Sequence, residues 1–304
     1  MTARVPLGGV GAGPRAVAVV VRGHKLLVMA RRLDGREYAV LPGGRVEPGE
    51  TPAQAAVREL AEECSLEGTV VRHLFDGDHG GRHASYFLVE VPEGEPVLGG
   101  QEAEAQSEDD HYQPLWATAG ELPLLGLLPD GIADLVTAEI WPLHVAEAST
   151  DDRTLVERLW QLYQHDLSEF RHSAPGPDGR FPPGRLLSYV GRPDRVAYLA
   201  TLGDVPCGFA LVRLGGRRDR RTMGEFFVTR SARGRGVARA FAGEVLRRHP
   251  GDWVLAFQEE NPRAAAFWRR LARDLLHDVR ERRRAVPGKD HLPADVWLSG
   301  TLDG

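Results

Sequence analysis

The segment from Gly44 to Leu66 contains the side chains best suited to bind a metal and to act on a phosphate. Glu59, Glu62 and Glu63 lie three and four residues apart, a spacing that places side chains on one stripe of a helix. Like charges at this spacing cost roughly 0.2 to 0.5 kcal/mol per pair, so a bound cation or Arg58 would relieve a repulsion. Because these ligands are all oxygens, the pattern favours Mg²⁺ or Mn²⁺ over zinc, and Mg²⁺ is often shared with substrate phosphates.

A helix is expected to carry these glutamates. The sequence predicts a turn at residues 48–50, an N-cap at Thr51 and a helix that runs from Pro52 to about Cys64. Its apolar positions recur at helical spacing and would pack inward: Ala56, Val57, Leu60, Ala61 and Cys64. For a run of glutamates taken alone, a solvated acidic face is the alternative interpretation.

The order of these residues resembles the signature of the Nudix hydrolases. That signature is a glycine, five residues, a glutamate, seven residues, and then Arg-Glu-aliphatic-any-Glu-Glu, and it is met by Gly44, Glu50, Arg58, Glu59, Leu60, Glu62 and Glu63. The resemblance implies that Glu59, Glu62 and Glu63 bind the metal with help from the Gly43 carbonyl, while Arg58 and Glu50 orient that set. A metal-activated water would then attack a phosphorus of a diphosphate. Which glutamate is ligand and which is base stays open.

The resemblance covers about residues 14–141 and departs from the family at one position. Ser65 stands where the family has a glycine that closes the helix in a left-handed conformation. We expect residues 1–13 to be a flexible start, followed by a mixed sheet with strands at 16–21, 25–30, 38–41, 69–75 and 85–91, and a closing helix at 129–140. The acidic stretch from Glu102 to Gln113 is interpreted as a polar loop that could add a ligand or base.

A second element with functional potential lies in the other half of the chain, from Glu225 to Phe241. An apolar strand is expected to end near Val228, and a helix to begin at Val237 after a loop of Arg233, Gly234, Arg235 and Gly236. Backbone N–H groups at a helix N-terminus attract anions, and glycines allow a phosphate to approach the main chain. Taken alone, this loop is also compatible with a plain turn.

About 25 residues later, a strand at 253–257 is followed by Asn261 and Ala264. The two elements together resemble the GNAT acetyltransferases over about residues 143–298. The resemblance implies that the loop with Arg233, Gly236 and Ala238 cradles the pyrophosphate of acetyl-CoA, that Val228 pairs with the pantetheine arm, and that Asn261 lies on the cofactor side. Residues 142–304 are therefore expected to form a GNAT domain, with a helix at 153–165 and strands at 195–201, 205–212 and 295–298.

One departure concerns the mechanism of this second domain. Many GNAT enzymes have a tyrosine seven residues after the asparagine, where it protonates the leaving thiolate, and this chain has Trp268 there. Indole cannot serve as that acid. The candidate acids are Tyr163, Tyr189 and Tyr198, and the candidate bases are Glu225, Glu259 and Glu260; the latter three are also ordinary positions for a surface or strand-end carboxylate.

Composition limits the remaining classes. The chain has 304 residues, only two cysteines, and no apolar run of the roughly 20 residues that a membrane helix needs. Residues 1–142 contain 11 Lys and Arg against 22 Asp and Glu, a net of −11, and the remainder contains 27 against 21, a net of +6. The arginine runs at 217–221 and 280–284 lack interleaved aromatics and are interpreted as loop or helix surface. We therefore expect a cytoplasmic protein that binds neither membranes nor nucleic acid.

These observations predict an α/β (α+β) chain, with a Nudix α/β/α sandwich followed by a mixed-sheet GNAT domain. The predicted function is bifunctional: Mg²⁺-dependent or Mn²⁺-dependent hydrolysis of a nucleoside diphosphate linked to a group X, and acetyl-CoA-dependent acylation of an amine. Two alternatives stay open. In one, a noncatalytic acyl-CoA-binding GNAT domain regulates the Nudix hydrolase, as Trp268 would favour. In the other, the chain is a nonenzymatic sensor or scaffold. The group X, the amine and the oligomeric state are not predicted.

Overall fold

The computed structural model describes residues 13–107, 109–184, 186, 189, 192–215, 220–285 and 293–304. Residues 1–12 of the expected flexible start, Glu108 of the acidic stretch, and Arg217 and Arg218 lie outside the described residues. The chain divides into two compact units, Met1–Trp141 and Pro142–Gly304. Within the described ranges, no helix is long and apolar enough to cross a membrane.

The first unit contains seven strands and three helices in its described part. The strands are β1 (Arg15–Arg22), β2 (Lys25–Leu33), β3 (Arg36–Val40), β4 (Gly43–Arg45), β5 (Thr69–Asp78), β6 (His83–Glu90) and β7 (Asp110–Thr118). The helices are α1 (Pro52–Cys64), α2 (Gly100–Glu104) and α3 (Ile132–Ile140).

The sheet of this unit is mixed and places α1 over its centre. The strand order is β3-β2-β1-β6-β5, with β4 paired to β1 and β7 paired to β2. β1 runs parallel to β6 and antiparallel to β4. The apolar stripe of α1 packs on this sheet through Ala55, Ala56, Leu60 and Cys64, which are all fully buried. The opposite, acidic stripe of α1 is thereby held next to the loop that follows β3.

The second unit is also built on one mixed sheet. Its strands are β8 (Leu143–Glu147), β9 (Arg195–Leu202), β10 (Val205–Arg213), β11 (Arg221–Val228), β12 (Gly251–Phe257), β13 (His277–Arg284) and β14 (Asp295–Leu302). Its helices are α4 (Arg153–Arg171), α5 (Val237–Arg247) and α6 (Pro262–Leu275). The strand order is β13-β14-β12-β11-β10-β9-β8.

Each face of this sheet has its own core. On one face, α5 and α6 cover Trp253, Leu255 and Leu298. On the other, α4 packs on Phe209 and Phe227 through a cluster that includes Trp160. The parallel strands β11 and β12 pair over residues 221–223 and 253–255, and no pairing between them is seen beyond that point in the described residues. The sheet therefore opens towards the C-terminal ends of these two strands.

Two sequence predictions about elements were wrong, and one strand was not predicted. The acidic stretch interpreted as a loop contains the short helix α2 and the first residues of β7, which pairs with β2 along its whole length. Residues 143–147 form β8, an edge strand that the sequence analysis did not predict. The arginine run at 280–284, interpreted as loop or helix surface, lies on β13, because pairing with β14 outweighs the absence of apolar residues.

Candidate functional site

The first candidate site begins with the way α1 starts. Thr51 caps the helix: its hydroxyl accepts from the N–H of Gln54, and the Gln54 side chain accepts from the N–H of Thr51 in return. Pro52 occupies the first turn, where its missing N–H is not needed. At the other end, Ser65 adopts the left-handed conformation, with φ of 52°. These ends fix the rotation of α1 and hence the direction of its glutamates.

Arg58 connects three carboxylates of the signature. Its guanidinium binds Glu50 through two nitrogens, at 3.2 and 2.9 Å, and reaches Glu62 at 2.9 Å and Glu59 at 3.1 Å. It also donates to the carbonyl of Arg45. The hydrogen bond from Arg58 lowers the pKa of Glu50, whereas burial raises the pKa of Glu59. Arg58 thus relieves the repulsion expected from the acidic stripe.

Glu63 is the signature carboxylate with the most strongly perturbed pKa. Its Oε2 accepts from the N–H of Gly43 at 3.0 Å. Burial raises its pKa to about 8, and the nearby charges of Glu102 and Glu59 act in the same direction. Glu102 lies on α2, in the acidic stretch that the sequence analysis interpreted as a polar loop that could add a ligand or base. The fold therefore brings the Glu102 carboxylate of α2 close to Glu63 of α1.

Arg15 is a residue of this site that sequence analysis missed. It opens β1, is largely buried, and donates to the Gly43 carbonyl, the group expected to help bind the metal. Its charge acts on Glu63 and Glu59, and its Nε has no hydrogen-bond partner among the described residues. The sequence feature that could have indicated this role is the position of Arg15 directly before the predicted apolar strand at 16–21.

The donor set suits a hard divalent cation. Its donors are carboxylate and carbonyl oxygens, and a bound dication would favour the ionised form of Glu63, which burial beside Glu59 and Glu102 otherwise disfavours. Within the described part of the chain, no three His, Cys, Asp or Glu side chains already converge as a metal cluster. Arg58 pairs with one oxygen of Glu59 and one oxygen of Glu62, so the second oxygen of each carboxylate can serve a cation.

The second candidate site lies in the other unit, at the loop before α5. Gly234 and Gly236 have φ of 81° and 75°, which glycine adopts without strain, and a Cβ at either position would meet no atom within 4 Å. Gly236 is the N-cap of α5, and no side chain caps the helix. The first N–H groups, from Val237 and Ala238 onward, therefore have no side-chain cap at the positive end of the helix dipole.

The arginines of this loop have different surroundings. Arg233 donates from Nε to the Val228 carbonyl at 2.8 Å and pairs with Asp166 on α4. Its side chain thus ties the loop to the end of β11, and the Val228 carbonyl, expected to face the pantetheine arm, is already an acceptor in this structure. Arg230 also binds Asp166, at 2.7 Å. Arg235 lies between the two glycines and is only half-buried.

The later motif residues have clear structural roles. The Asn261 side chain accepts from the N–H of Ala264 at 3.0 Å, so the asparagine and the alanine three residues on form the N-cap of α6. Trp268 is buried and packs edge-to-face against Phe226 and Phe267. It belongs to the core that α6 forms with the sheet.

The candidate acids and bases are not equivalent. The Tyr163 hydroxyl donates to Glu225 on β11 at 2.5 Å, and burial raises the pKa of Tyr163. Glu259 is held by Arg269 and Arg283. The carboxylate oxygens of Glu260 are buried and accept no hydrogen bond from the described residues, although Arg171 lies 3.6 Å away.

The remaining two tyrosines lie elsewhere in the core. The Tyr198 hydroxyl contacts His249 at 2.7 Å and Glu147 at 3.3 Å. Tyr189 is buried beneath the guanidinium of Arg195.

Comparison with known proteins identifies both units. A family model described as NUDIX domain matches residues 12–136. A Mycobacterium tuberculosis protein provisionally named 8-oxo-dGTP diphosphatase 2 is 39% identical over 123 residues, which are 38% of this chain and 82% of the relative. The chain belongs to the Nudix family. An Escherichia coli 8-oxo-dGTP diphosphatase is 37% identical over 91 residues, 27% of this chain and 68% of that protein.

The second unit contains a GNAT domain, since the model of the acetyltransferase (GNAT) family matches residues 156–272. Among solved structures, an acetyltransferase from Thermus thermophilus is 21% identical with a TM-score of 0.40, over 53% of this chain and 97% of that one. The Nudix signature thus lies on α1 and its flanking loops, and the GNAT loop lies between β11 and α5.

Proposed function

We propose that the Nudix unit hydrolyses the diphosphate linkage of a nucleoside triphosphate or related nucleotide, with 8-oxo-dGTP as the first substrate to test. The relatives named for that activity supply the substrate class. The single observation that carries the proposal is the intact signature helix, on which Arg58 joins Glu50, Glu59 and Glu62.

In this proposal Glu59, Glu62 and Glu63 bind Mg²⁺ or Mn²⁺. The bound metal would supply an activated water and neutralise phosphate charge. Arg58 keeps the carboxylates on one side of α1 through its fork of hydrogen bonds, and Glu50 anchors Arg58. Arg15 contributes a fixed positive charge beneath the site. Glu102 is the candidate proton acceptor, because its carboxylate is close enough to Glu63 for the two charges to interact.

A product analysis tests this proposal. The full chain is incubated with Mg²⁺ and a panel of nucleoside triphosphates, nucleotide sugars, dinucleotides and acyl-CoAs, and the phosphorus products are separated by ³¹P NMR. Release of pyrophosphate and a nucleoside monophosphate from one class is the expected result. Absence of metal-dependent turnover across the whole panel would contradict it.

For the GNAT unit we propose binding of acetyl-CoA at the loop of Gly234 and Gly236 and acyl transfer to an amine. The proposal is supported by the uncapped N-terminus of α5, which can accept the pyrophosphate of the cofactor, and by the opening between β11 and β12. Glu225 is the candidate base, because it lies on β11 near that opening and is held by Tyr163.

A specific observation favours a second candidate for this unit, an acyl-CoA-binding module without transfer. Trp268, at the position of the expected acid, is a buried core residue with no group that could protonate a thiolate. Free thiol release from acetyl-CoA with a panel of primary amines separates the two candidates. Turnover supports the acyltransferase, and calorimetric binding of acetyl-CoA without turnover supports the module.

A further inference from the structure

A cavity of about 140 Å³ lies on the sheet of the second unit and is lined mainly by arginines. Arg280, Arg282 and Arg284 of β13 and Arg220 before β11 surround it, with Trp297 and Ser299 of β14 on its wall. We propose that this cavity binds a phosphate-rich anion of about diphosphate size. Neither proposed activity uses it.

Side chains of β13 alternate between the two faces of the sheet, so its charged residues lie in two different environments. On the side that faces α6, Glu281 binds Arg269 and Arg283 binds Glu259, so the charges of that side are paired. On the cavity side, Arg280, Arg282 and Arg284 have no carboxylate within ion-pair distance among the described residues. Arg220 lies 3.9 Å from Asp252. Asp295 lies opposite Arg284 in the sheet but pairs with Arg171, so the ion pairs seen among the described residues leave the three cavity arginines of β13 uncompensated.

Sheet register explains why these guanidinium groups meet. Arg280 lies opposite Ser299, and Arg282 lies opposite Trp297, so every second residue of β13 points to the same side. Arg284 is held over the Trp297 ring, with its guanidinium carbon 4.6 Å from the ring centre. This stacking fixes the direction of one cation before any ligand arrives.

A charged edge strand can also serve to prevent pairing with another chain. That role requires charged residues along the strand. It does not require three arginines of β13 to surround one cavity together with Arg220, which precedes β11. Guanidinium groups match phosphate oxygens through paired hydrogen bonds, and the Ser299 hydroxyl can donate one more. A diphosphate supplies several negative charges in a volume that the cavity accommodates, whereas a single carboxylate would leave most of the positive charge uncompensated.

The test is isothermal titration calorimetry of the full chain with inorganic pyrophosphate. EDTA is present to exclude metal-dependent binding at the Nudix site, and the dependence of the binding on Arg282 separates the cavity from the GNAT loop. Arg282→Gln removes a cavity charge. Arg283→Gln is the matched control, because it removes the same charge from the adjacent position on the opposite side of the strand.

We expect one pyrophosphate per chain, an affinity about tenfold or more weaker in Arg282→Gln, and a change within about twofold in Arg283→Gln. Arg280→Gln serves as a second cavity variant and is expected to behave as Arg282→Gln does. A parallel titration with ADP separates the sources of the phosphate: tighter binding of ADP than of pyrophosphate, with the same dependence on Arg282, assigns a nucleotide.

Three results would overturn the proposal. Wild type would not bind pyrophosphate or ADP at millimolar concentration, or Arg282→Gln and Arg283→Gln would weaken binding equally. Equal competition by sulfate would identify an adventitious ion only.

Discussion

Arg58 is the residue on which the signature of the Nudix unit depends, because one guanidinium binds three carboxylates and a backbone carbonyl. Its position was predictable from the sequence, whereas Arg15 was missed and Glu102 was included only in a stretch that could add a ligand or base. Both come from elements far from the signature, and only the sheet pairing and the position of α2 bring them to Glu63. Residue roles within a local motif can thus be predicted, while those that depend on tertiary contacts cannot.

The first prediction concerns the shape of the Arg58 side chain. Arg58→Lys keeps the charge and removes the planar fork that binds Glu50 at two points. We expect kcat/KM for nucleotide hydrolysis to fall by about tenfold or more, which corresponds to about 1.4 kcal/mol or more. Steady-state kinetics measure the change, and Arg72→Lys, at an exposed arginine of β5, is the control. A variant with wild-type kcat/KM would contradict the role given to the fork.

The second prediction compares two tyrosine hydroxyls. Tyr163→Phe removes the hydroxyl that donates to Glu225 and is expected to destabilise the second unit by about 1–3 kcal/mol. Tyr86→Phe removes a buried hydroxyl with no partner among the described residues, so it should be neutral or stabilising for the first unit. Urea denaturation, followed for each unit's own transition, measures both. Equal losses in the two variants would contradict the prediction.

A third prediction concerns pH. Burial, with the charges of Arg15 and Arg82, lowers the pKa of His79 to about 4 from its ordinary value of 6.5. Between these values the unfolded chain binds a proton that the folded unit does not, so stability falls as the pH drops from 6.5 to 4 and is unaffected above this range. His79→Gln should reduce this loss, whereas His111→Gln, at an exposed histidine, should not. Thermal unfolding at several pH values measures it, and identical pH profiles for wild type and His79→Gln would rule the effect out.

At the scale of elements, prediction succeeded where the pattern within a segment agreed with the fold. The cap at Thr51 and the apolar stripe of α1 specify that helix, and the β-branched runs of β1 and β2 specify those strands. Prediction failed for β13, whose eight residues are all exposed. Such an edge strand shows no apolar alternation, and only its pairing with β14 determines its structure.

The end of α1 gives an element-scale prediction. Ser65 adopts a left-handed conformation that costs an L-residue about 1–2 kcal/mol and glycine little, although glycine also gains entropy in the unfolded chain. Ser65→Gly should therefore stabilise the first unit by about 0.5–1 kcal/mol. Urea unfolding measures this value. Ser65→Val should lower the free energy of unfolding, because valine does not adopt the left-handed conformation easily. If valine instead stabilised the unit, the left-handed conformation would not explain the effect of Ser65→Gly.

At the scale of the whole molecule, the chain joins two units of opposite net charge, −11 for residues 1–142 and +6 for the remainder. The acidic unit contains the candidate cation site. The basic unit contains the uncapped helix N-terminus and the arginine cavity, both suited to anions. The sequence predicted this difference in charge, but the cavity arises only when strand pairing gathers arginines from separate segments.

We have proposed that the Nudix unit is a metal-dependent nucleotide pyrophosphohydrolase. The most direct test is the Mg²⁺-dependent hydrolysis of 8-oxo-dGTP by the full chain, compared between wild type, Glu63→Gln, and the control Glu67→Gln at an exposed position beyond α1. We predict that Glu63→Gln lowers kcat by about 100-fold or more, whereas Glu67→Gln keeps the wild-type kcat. Both variants should bind acetyl-CoA with the wild-type affinity. Hydrolysis that persists in Glu63→Gln, or that proceeds equally in EDTA, would contradict metal-dependent hydrolysis at this site.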